Sequence, residues 1–382
     1  MRHDCLASPL GLAATCPTVV AIPAKNEAEE IEDCLRALAA QKLVRPDAIV
    51  LCLNNCADET ARIVGWVERT LPVAIETIEV ELPSDRAFAG AARRIAMDRA
   101  ADLAGPSGVL LTTDADARVP ADWLSANLVA VAEGADAIAG QAQIEPEGAK
   151  LIPAHLHAID ARECAYAALL DEIKWLLDPD PFDPWPRHDE HSGASIAVTV
   201  EAYRRAGGMP VVPLGEDRAF FAALRRADAR IRHLLAAPVI VSARTVGRAQ
   251  GGMADTMRRR MEQVDAFLDN RLEPVCDALR RVRLYRSLRT AWRGQKEDID
   301  ALARRLGLRT GDVASWLSSR YFGVVWAKAE ARSPVLRRSR VALADLPAQT
   351  ARAWRVRDAL RLGRIIRTVE DPGDTALDAA AA

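Results

Sequence analysis

The chain has 382 residues, is 50% hydrophobic and carries a formal net charge of -2. It has material for the cores of two or three domains, and its overall charge makes no statement about nucleic acid. The seven cysteines are odd in number and form no C-x-x-C pair, which excludes a simple disulfide framework and fits free thiols in a reducing, cytoplasmic compartment.

The first 17 residues form an arm. Their small apolar stretch resembles a short export signal, but Asp4 interrupts the charged end and the first strand follows at once. A β-branched run at 18–23 predicts that strand. Apolar residues Ile31, Cys34, Leu35 and Leu38 then give the spacing of an amphipathic helix over 27–40. Strand and helix continue to alternate: strand 47–53, helix 58–69, strand 73–80, helix 88–103, strand 109–113, helix 122–133 and strand 135–144. Such alternation predicts an α/β fold with a mostly parallel sheet and helices on both faces.

A long helix is expected over 155–177. Pro179, Pro181, Pro184 and Pro186 then exclude helix and central strand from 178–188, leaving a surface loop of the length used for binding elements. Strand 195–200, a short helix 201–206 ended by Gly207-Gly208, helix 217–227 and strands 231–235 and 239–242 follow. Beyond Asp255 the pattern is helical almost to Val369. The domains expected are an arm 1–17, a catalytic domain 18–252, a helical extension 253–370 and a frayed tail 371–382. No run approaches the length that spans a bilayer.

Charge is unevenly spread. Residues 258–367 hold 26 Lys and Arg against 12 Asp and Glu. A basic extension on an acidic body suits an anionic partner or a peripheral membrane contact; a solvated arginine face explains it equally well.

The chemistry concentrates at Asp114-Ala115-Asp116, where the apolar run 109–113 stops. Strand ends of a parallel sheet open into the ligand crevice, and residues i and i+2 of extended chain point the same way. Two such carboxylates suit a hard cation that bridges phosphates; an acidic turn is the plainer alternative. The first strand ends in Pro23-Ala24-Lys25-Asn26-Glu27 and the second in Asn54-Asn55-Cys56-Ala57-Asp58, so both loops would line the same crevice. Small residues at 89–92 allow close backbone approach, and Arg93 offers a fork suited to phosphate.

These residues together resemble family 2 glycosyltransferases of the GT-A fold, which use nucleotide-sugar donors. The resemblance runs over roughly 18–252 and includes Gly215-Glu216-Asp217, Ser192-Gly193-Ala194-Ser195 and Tyr203-Arg204-Arg205-Ala206-Gly207-Gly208. It implies a UDP- or GDP-sugar donor held by Pro23, Ala24, Glu27, Asn54 and Arg93. It implies a divalent cation, magnesium or manganese, on Asp114 and Asp116, with Asp114 also facing the ribose and diphosphate. Asp217 would be the general base, with Glu216 as the alternative, and the anomeric centre would invert. Arg248 would clamp the diphosphate. Trp185, His188 and His191 are candidates for the acceptor, a small molecule or a lipid-linked one.

The chain departs from the family at Asn54, where an acidic residue is common; an amide both donates and accepts, so it does not demand uracil. The Gln-x-x-Arg-Trp motif of processive members is absent. His233 is expected to be structural, as are Cys52 and Cys56, and the spacing of His155 and His157 keeps them off a shared helix face. Residues 299–308 and 313–317 resemble a helix-turn-helix but fit any α-hairpin, and no nucleic-acid partner is expected. The rival readings are a retaining transferase similar to glucosyl- or mannosylglycerate synthases, a nucleotidyltransferase, and a DNA-binding regulator. The nucleotidyltransferase lacks its Gly-rich phosphate loop after the first strand.

Overall fold

The structure is a computed structural model that describes residues 16–244 and 252–363. The expected arm and tail, except for Cys16 and Pro17, lie outside the described residues. The strands are β1 (Thr18–Ala24), β2 (Ala48–Asn54), β3 (Ala74–Val80), β4 (Val109–Thr112), β5 (Ala117–Arg118), β6 (Ala137–Ile144), β7 (Ile196–Thr199) and β8 (Ile231–Val241). The helices up to residue 262 are α1 (Ile31–Ala39), α2 (Thr60–Glu68), α3 (Ala89–Ala104), α4 (Trp123–Ala132), α5 (Pro146–Ala149), α6 (Ala154–Leu177), α7 (Val200–Arg205), α8 (Glu216–Arg226) and α9 (Met253–Glu262). The remainder are α10 (Val275–Trp292), α11 (Ile299–Leu306), α12 (Thr310–Trp316), α13 (Phe322–Arg332) and α14 (Leu346–Arg361).

The chain divides into two compact units. Among the described residues, the first holds 16–151, 190–225, 229–244 and 252–259; the second holds 152–189, 226–228 and 260–363. The first unit is built on one sheet in the order β3-β2-β1-β4-β7-β6-β8-β5. Pairs β1/β2, β2/β3, β1/β4 and β6/β8 are parallel, whereas β4/β7, β6/β7 and β5/β8 are antiparallel. Strand alternation sends Val20, Ile22, Ile49, Leu51 and Leu53 to one face, where α1, α2 and α4 cover them with Leu35, Val64 and Trp123. Val19, Ala21, Val50, Cys52 and Leu110 go to the other, under α3 and α8. Both faces are therefore dry, as parallel strands require.

Helix α3 lies close to the sheet and to α8 because its inner face is small. A Cβ at Gly90 would lie 2.9 Å from the Val212 carbonyl oxygen and 3.0 Å from Glu216 Cβ. The close approach expected of 89–92 is thus made by protein, at the start of α8.

Several boundaries differ from the sequence reading for identifiable reasons. The two strands expected at 231–235 and 239–242 are one, β8, bent where its register with β6 shifts between Gly140 and Ala142. Ala237 there has a φ of 55°, and the irregularity accommodates Pro238 within a strand. Helix α1 begins at Ile31 rather than Glu27, because the Glu27 carbonyl accepts the turn bonds from Glu30 and Ile31 at 3.1 and 2.9 Å. Two-residue β5 has too few residues to show a period.

The second unit is helical. Tyr166, Leu170 and Ile173 of α6 pack with Leu279 of α10 and Val356 and Leu360 of α14. Helix α6 lies inside 18–252 in sequence, yet its packing partners are the C-terminal helices. A second cluster joins Leu288 of α10 to Leu302 and Leu306, Val313 and Trp316, and Phe322 and Val325. The α11–α12 hairpin turns at Gly307, whose φ of 65° is left-handed and favours glycine. The continuous helical pattern expected beyond Asp255 is broken by Pro274, Gly294, Gly307 and Pro334. Among the described residues no helix is long and apolar enough to cross a membrane. Cys16, Cys34, Cys52, Cys56, Cys164 and Cys276 are free thiols.

Candidate functional site

The parallel run β2-β1-β4 brings three strand ends to one edge of the sheet. β7 is antiparallel to β4, β6 antiparallel to β7, and β8 parallel to β6. The carboxyl end of β8 therefore emerges on the same edge as that of β4, whereas β7 enters from it. The segments just before β7 and just after β8 join the first three loops by topology alone.

The loops after β1 and β2 are fastened to each other. Asn26 and Asn55 both adopt left-handed backbone, φ 54° and 52°, which Asn tolerates. Asn26 Oδ1 accepts from the Ala57 N–H at 2.8 Å, Thr60 Oγ1 from the Glu27 N–H at 2.8 Å, and an Asp58 carboxylate oxygen from the Ala28 N–H at 3.1 Å. Pro23 and Ala24 are the last residues of β1 and are buried. Asn54 ends β2, is 1% exposed, and its Oδ1 has no hydrogen-bond partner. A buried acceptor left unpaired costs about 1–3 kcal/mol, and this one sits at the carboxyl edge.

β4 stops at Thr112, and the chain then turns rather than continuing extended. The Ala117 N–H donates to the Asp114 carbonyl at 3.1 Å. The two carboxylates consequently take different partners: Asp114 Oδ1 faces Arg93, and Asp116 Oδ2 lies 3.0 Å from Arg244 Nη2. The extended-chain expectation for this pair is corrected here, since Asp favours such turns.

Arg93 is 2% exposed. Its Nη2 donates to Asp114, its Nη1 to Thr112 Oγ1 at 2.8 Å and to the Gly193 carbonyl at 3.0 Å, and its Nε to Glu216 Oε1 at 3.3 Å. A Cβ at Gly193 would lie 2.6 Å from Arg93 Nη2, so only glycine lets the 192–195 segment reach it. Burial works against the Arg93 charge, but Asp114 and Glu216 outweigh it and hold its pKa above the ordinary value.

Glu216 and Asp217 open α8, where the helix dipole favours carboxylates. Burial pushes the Asp217 carboxyl above its usual range. Its Oδ1 accepts from the Arg218 N–H at 2.7 Å. Arg93 thus links the end of β4 to the start of α8 and the entry to β7.

On the other side, Arg244 forks onto Glu27 at 2.8 and 3.0 Å. Burial pushes Glu27 up to about 7 against that partner. Burial, then the charge of Asp114, push Asp116 up to about 6 against the pull of Arg244. Asp114 and Asp116 offer hard oxygen donors with excess negative charge, a set that fits a magnesium or manganese ion retaining some waters.

Of the sequence candidates, Pro23, Ala24, Glu27, Asn54, Arg93, Asp114, Asp116, Glu216 and Asp217 all lie in the first unit at this edge. Arg248 lies outside the described residues. His191 is in the first unit but stacks on Phe221, ring centroids 4.3 Å apart, and approaches His233 Nε2 at 3.4 Å. His233 is 6% exposed. Trp185 and His188 belong to the helical unit, where Trp185 lies 6.4 Å from the Trp175 ring and His188 is buried. Arg244 was not among the sequence candidates. Its signal is its position three residues after β8, and that signal becomes legible only once the polarity of β8 is known.

Residues 19–192 match the family model described as glycosyl transferase family 2. No curated protein matches the chain. Among solved structures, Staphylococcus aureus TarS 1–349 in complex with UDP is similar at 13% identity, 91% of either chain and TM-score 0.41. Mannosyltransferase PcManGT from Pyrobaculum calidifontis, in complex with GDP-Man and Mn2+, is similar at 17% identity over 94% of this chain and 88% of its own, with TM-score 0.40. Glucosyl-3-phosphoglycerate synthase from Mycobacterium tuberculosis, with Mn2+, UDP and phosphoglyceric acid, gives 16% identity, 69% and 76% coverage and TM-score 0.35.

Proposed function

Because residues 19–192 match the family model described as glycosyl transferase family 2, we propose that this enzyme transfers one sugar from a UDP- or GDP-sugar to an acceptor hydroxyl with inversion. The observation that carries the reading is Arg93, buried between Asp114 at the end of β4 and Glu216 at the start of α8. That link sets carboxylates for the donor and for the acceptor at one sheet edge.

In this reading Pro23, Ala24 and Glu27 line the nucleotide pocket, and the unpaired Asn54 acceptor receives an N–H of the base. Asp114 and Asp116 hold the cation. When bound, it neutralises charge on the leaving diphosphate. Arg93 has its donors committed to protein groups, so its role here is to fix Asp114 and Glu216 rather than to touch the nucleotide. The acceptor oxygen forms its bond to the anomeric carbon as the bond to the diphosphate breaks. The electron pair leaves with the diphosphate, and Asp217 takes the acceptor proton. A carboxylate raised by burial is better matched to that task than one at its ordinary value.

The acceptor side of the proposal rests on charge. Many arginines of the helical unit pair within it: Arg281 with Glu273 and Glu330, Arg289 with Asp178, Arg361 with Glu172. Arg293, Arg304, Arg320, Arg337 and Arg355 are exposed. They would offer an anionic or lipid-linked acceptor a basic surface. A cytoplasmic location belongs to the same proposal and rests on the free thiols.

The test is a thermal-shift screen of nucleotide sugars with and without manganese, since a ligand of the folded state raises the melting point, followed by product anomer assignment by NMR. A retained anomeric configuration overturns the inverting mechanism. Asp116→Asn with transfer intact, or full activity in a chelator, overturns the cation role.

A further inference from the structure

Arg244 reaches two carboxylates from different loops. Both of its terminal nitrogens bond Glu27, at 2.8 and 3.0 Å, and Nη2 also lies 3.0 Å from Asp116 Oδ2. The partners are well shielded: the side chains of Glu27 and Asp116 are 7% and 16% exposed and that of Arg244 is 26%. The bidentate bond to Glu27 anchors the guanidinium, and the single contact to Asp116 is the weaker arm of the fork.

We propose that Arg244 competes with the divalent cation for Asp116, so that the Glu27–Arg244 fork sets the cation affinity of the site. The inference rests on the reading that Asp116 holds the cation. With Arg244 Nη2 3.0 Å from Asp116 Oδ2, the guanidinium already neutralises the carboxylate that a metal ion would bind. A hard cation binding at about 2.0–2.6 Å also brings like charge against the guanidinium in a poorly screened place. Binding therefore works against the Asp116–Arg244 ion pair. Glu27 keeps Arg244 at the site, and the competition remains in force at every binding event.

The test is manganese binding to the intact protein without donor, read by electron paramagnetic resonance of the free ion. Arg244→Gln is expected to bind manganese at least about tenfold more tightly, or about 1.4 kcal/mol. Removing any nearby positive charge favours a cation to some extent, so Arg118→Gln is the control. Arg118 pairs with Glu30, Asp33 and Glu145. It should change affinity by less than about threefold, as expected for a partly exposed charge.

Unchanged or weaker binding in Arg244→Gln, or an equal gain in Arg118→Gln, overturns the competition. Asp116→Asn separates the two readings: if it binds manganese like the unaltered protein, the cation role of Asp116 fails. If it loses binding while Arg244→Gln is silent, only the competition fails. Circular dichroism reports folding of each variant. Should Arg244→Gln unfold, Arg244→Lys keeps the charge but cannot span both carboxylates, and a gain of about threefold is expected from loss of the fork.

Discussion

Replacing Arg93 by methionine keeps much of the side-chain volume and removes the charge and all five donors. Asp114 and Glu216 would then lose a common partner, and Thr112 Oγ1 and the Gly193 carbonyl would lose a donor. Breaking a buried ion pair from one side costs about 3–5 kcal/mol. The Asp114 side chain is 35% exposed and that of Glu216 14%, so water recovers part of the loss and the low end, about 3 kcal/mol, applies. Hydrogen exchange on peptides of β4 and α3 reads the opening of the first unit by itself. Its opening equilibrium should rise by about a hundredfold. Arg94→Met is the internal comparison. Arg94 is 33% exposed and bonds Asp98 and two carbonyls, so its loss should cost no more than about 1 kcal/mol. Equal effects at the two positions, or a change below about 1 kcal/mol in Arg93→Met, would refute the argument that Arg93 is the electrostatic centre of the site.

Asp217→Asn should lower kcat by about 10²–10⁴-fold while leaving donor affinity intact; an equal fall in donor affinity would move the base assignment to Glu216. Because burial raises the Asp217 pKa and only the carboxylate accepts a proton, kcat should fall as pH drops through a value above the usual carboxylate range of about 4. An acid limb at or below that range contradicts this. Asn54→Ala should weaken UDP or GDP binding about tenfold by calorimetry, the worth of one buried hydrogen bond, and unaltered binding of both excludes Asn54 from base recognition. Acceptor KM, or binding to anionic liposomes, should weaken as ionic strength rises. Salt-insensitive kinetics with no liposome binding would make the arginine-rich helices purely structural.

The alternating elements were legible because the central strands are apolar on both faces and the helices carry a clear stripe, as Ile31, Leu35 and Leu38 do. The site carboxylates were legible because Asp114, Asp116, Glu216 and Asp217 interrupt apolar segments where packing gives no reason for charge. Direction was not legible. Arg93 could face a ligand or the protein, and the choice follows from how closely Gly90 lets α3 approach α8. The turn at Asp114 depends on a backbone bond to Ala117 that no periodicity announces. Arg244 became visible only after the polarity of β6, β7 and β8 was known. The assignment of Trp185 and His188 to the helical unit follows from α6, whose apolar residues match α10 and α14 across more than a hundred residues of sequence.

Consecutive residues of α3 tie down different loops. Arg93 holds the segment before β7, and Arg94 holds the Gly207 and Met209 carbonyls on the path to α8. Inserting or deleting one residue upstream in α3 would rotate both arginines by about 100° around the helix axis. Neither could then reach its loop, although the composition of the helix would barely change. The helix should therefore accept substitutions along its outer side over evolutionary time and reject changes of length. Among homologous chains, the number of residues between Gly90 and Arg94 should stay constant while the outer side of the helix varies.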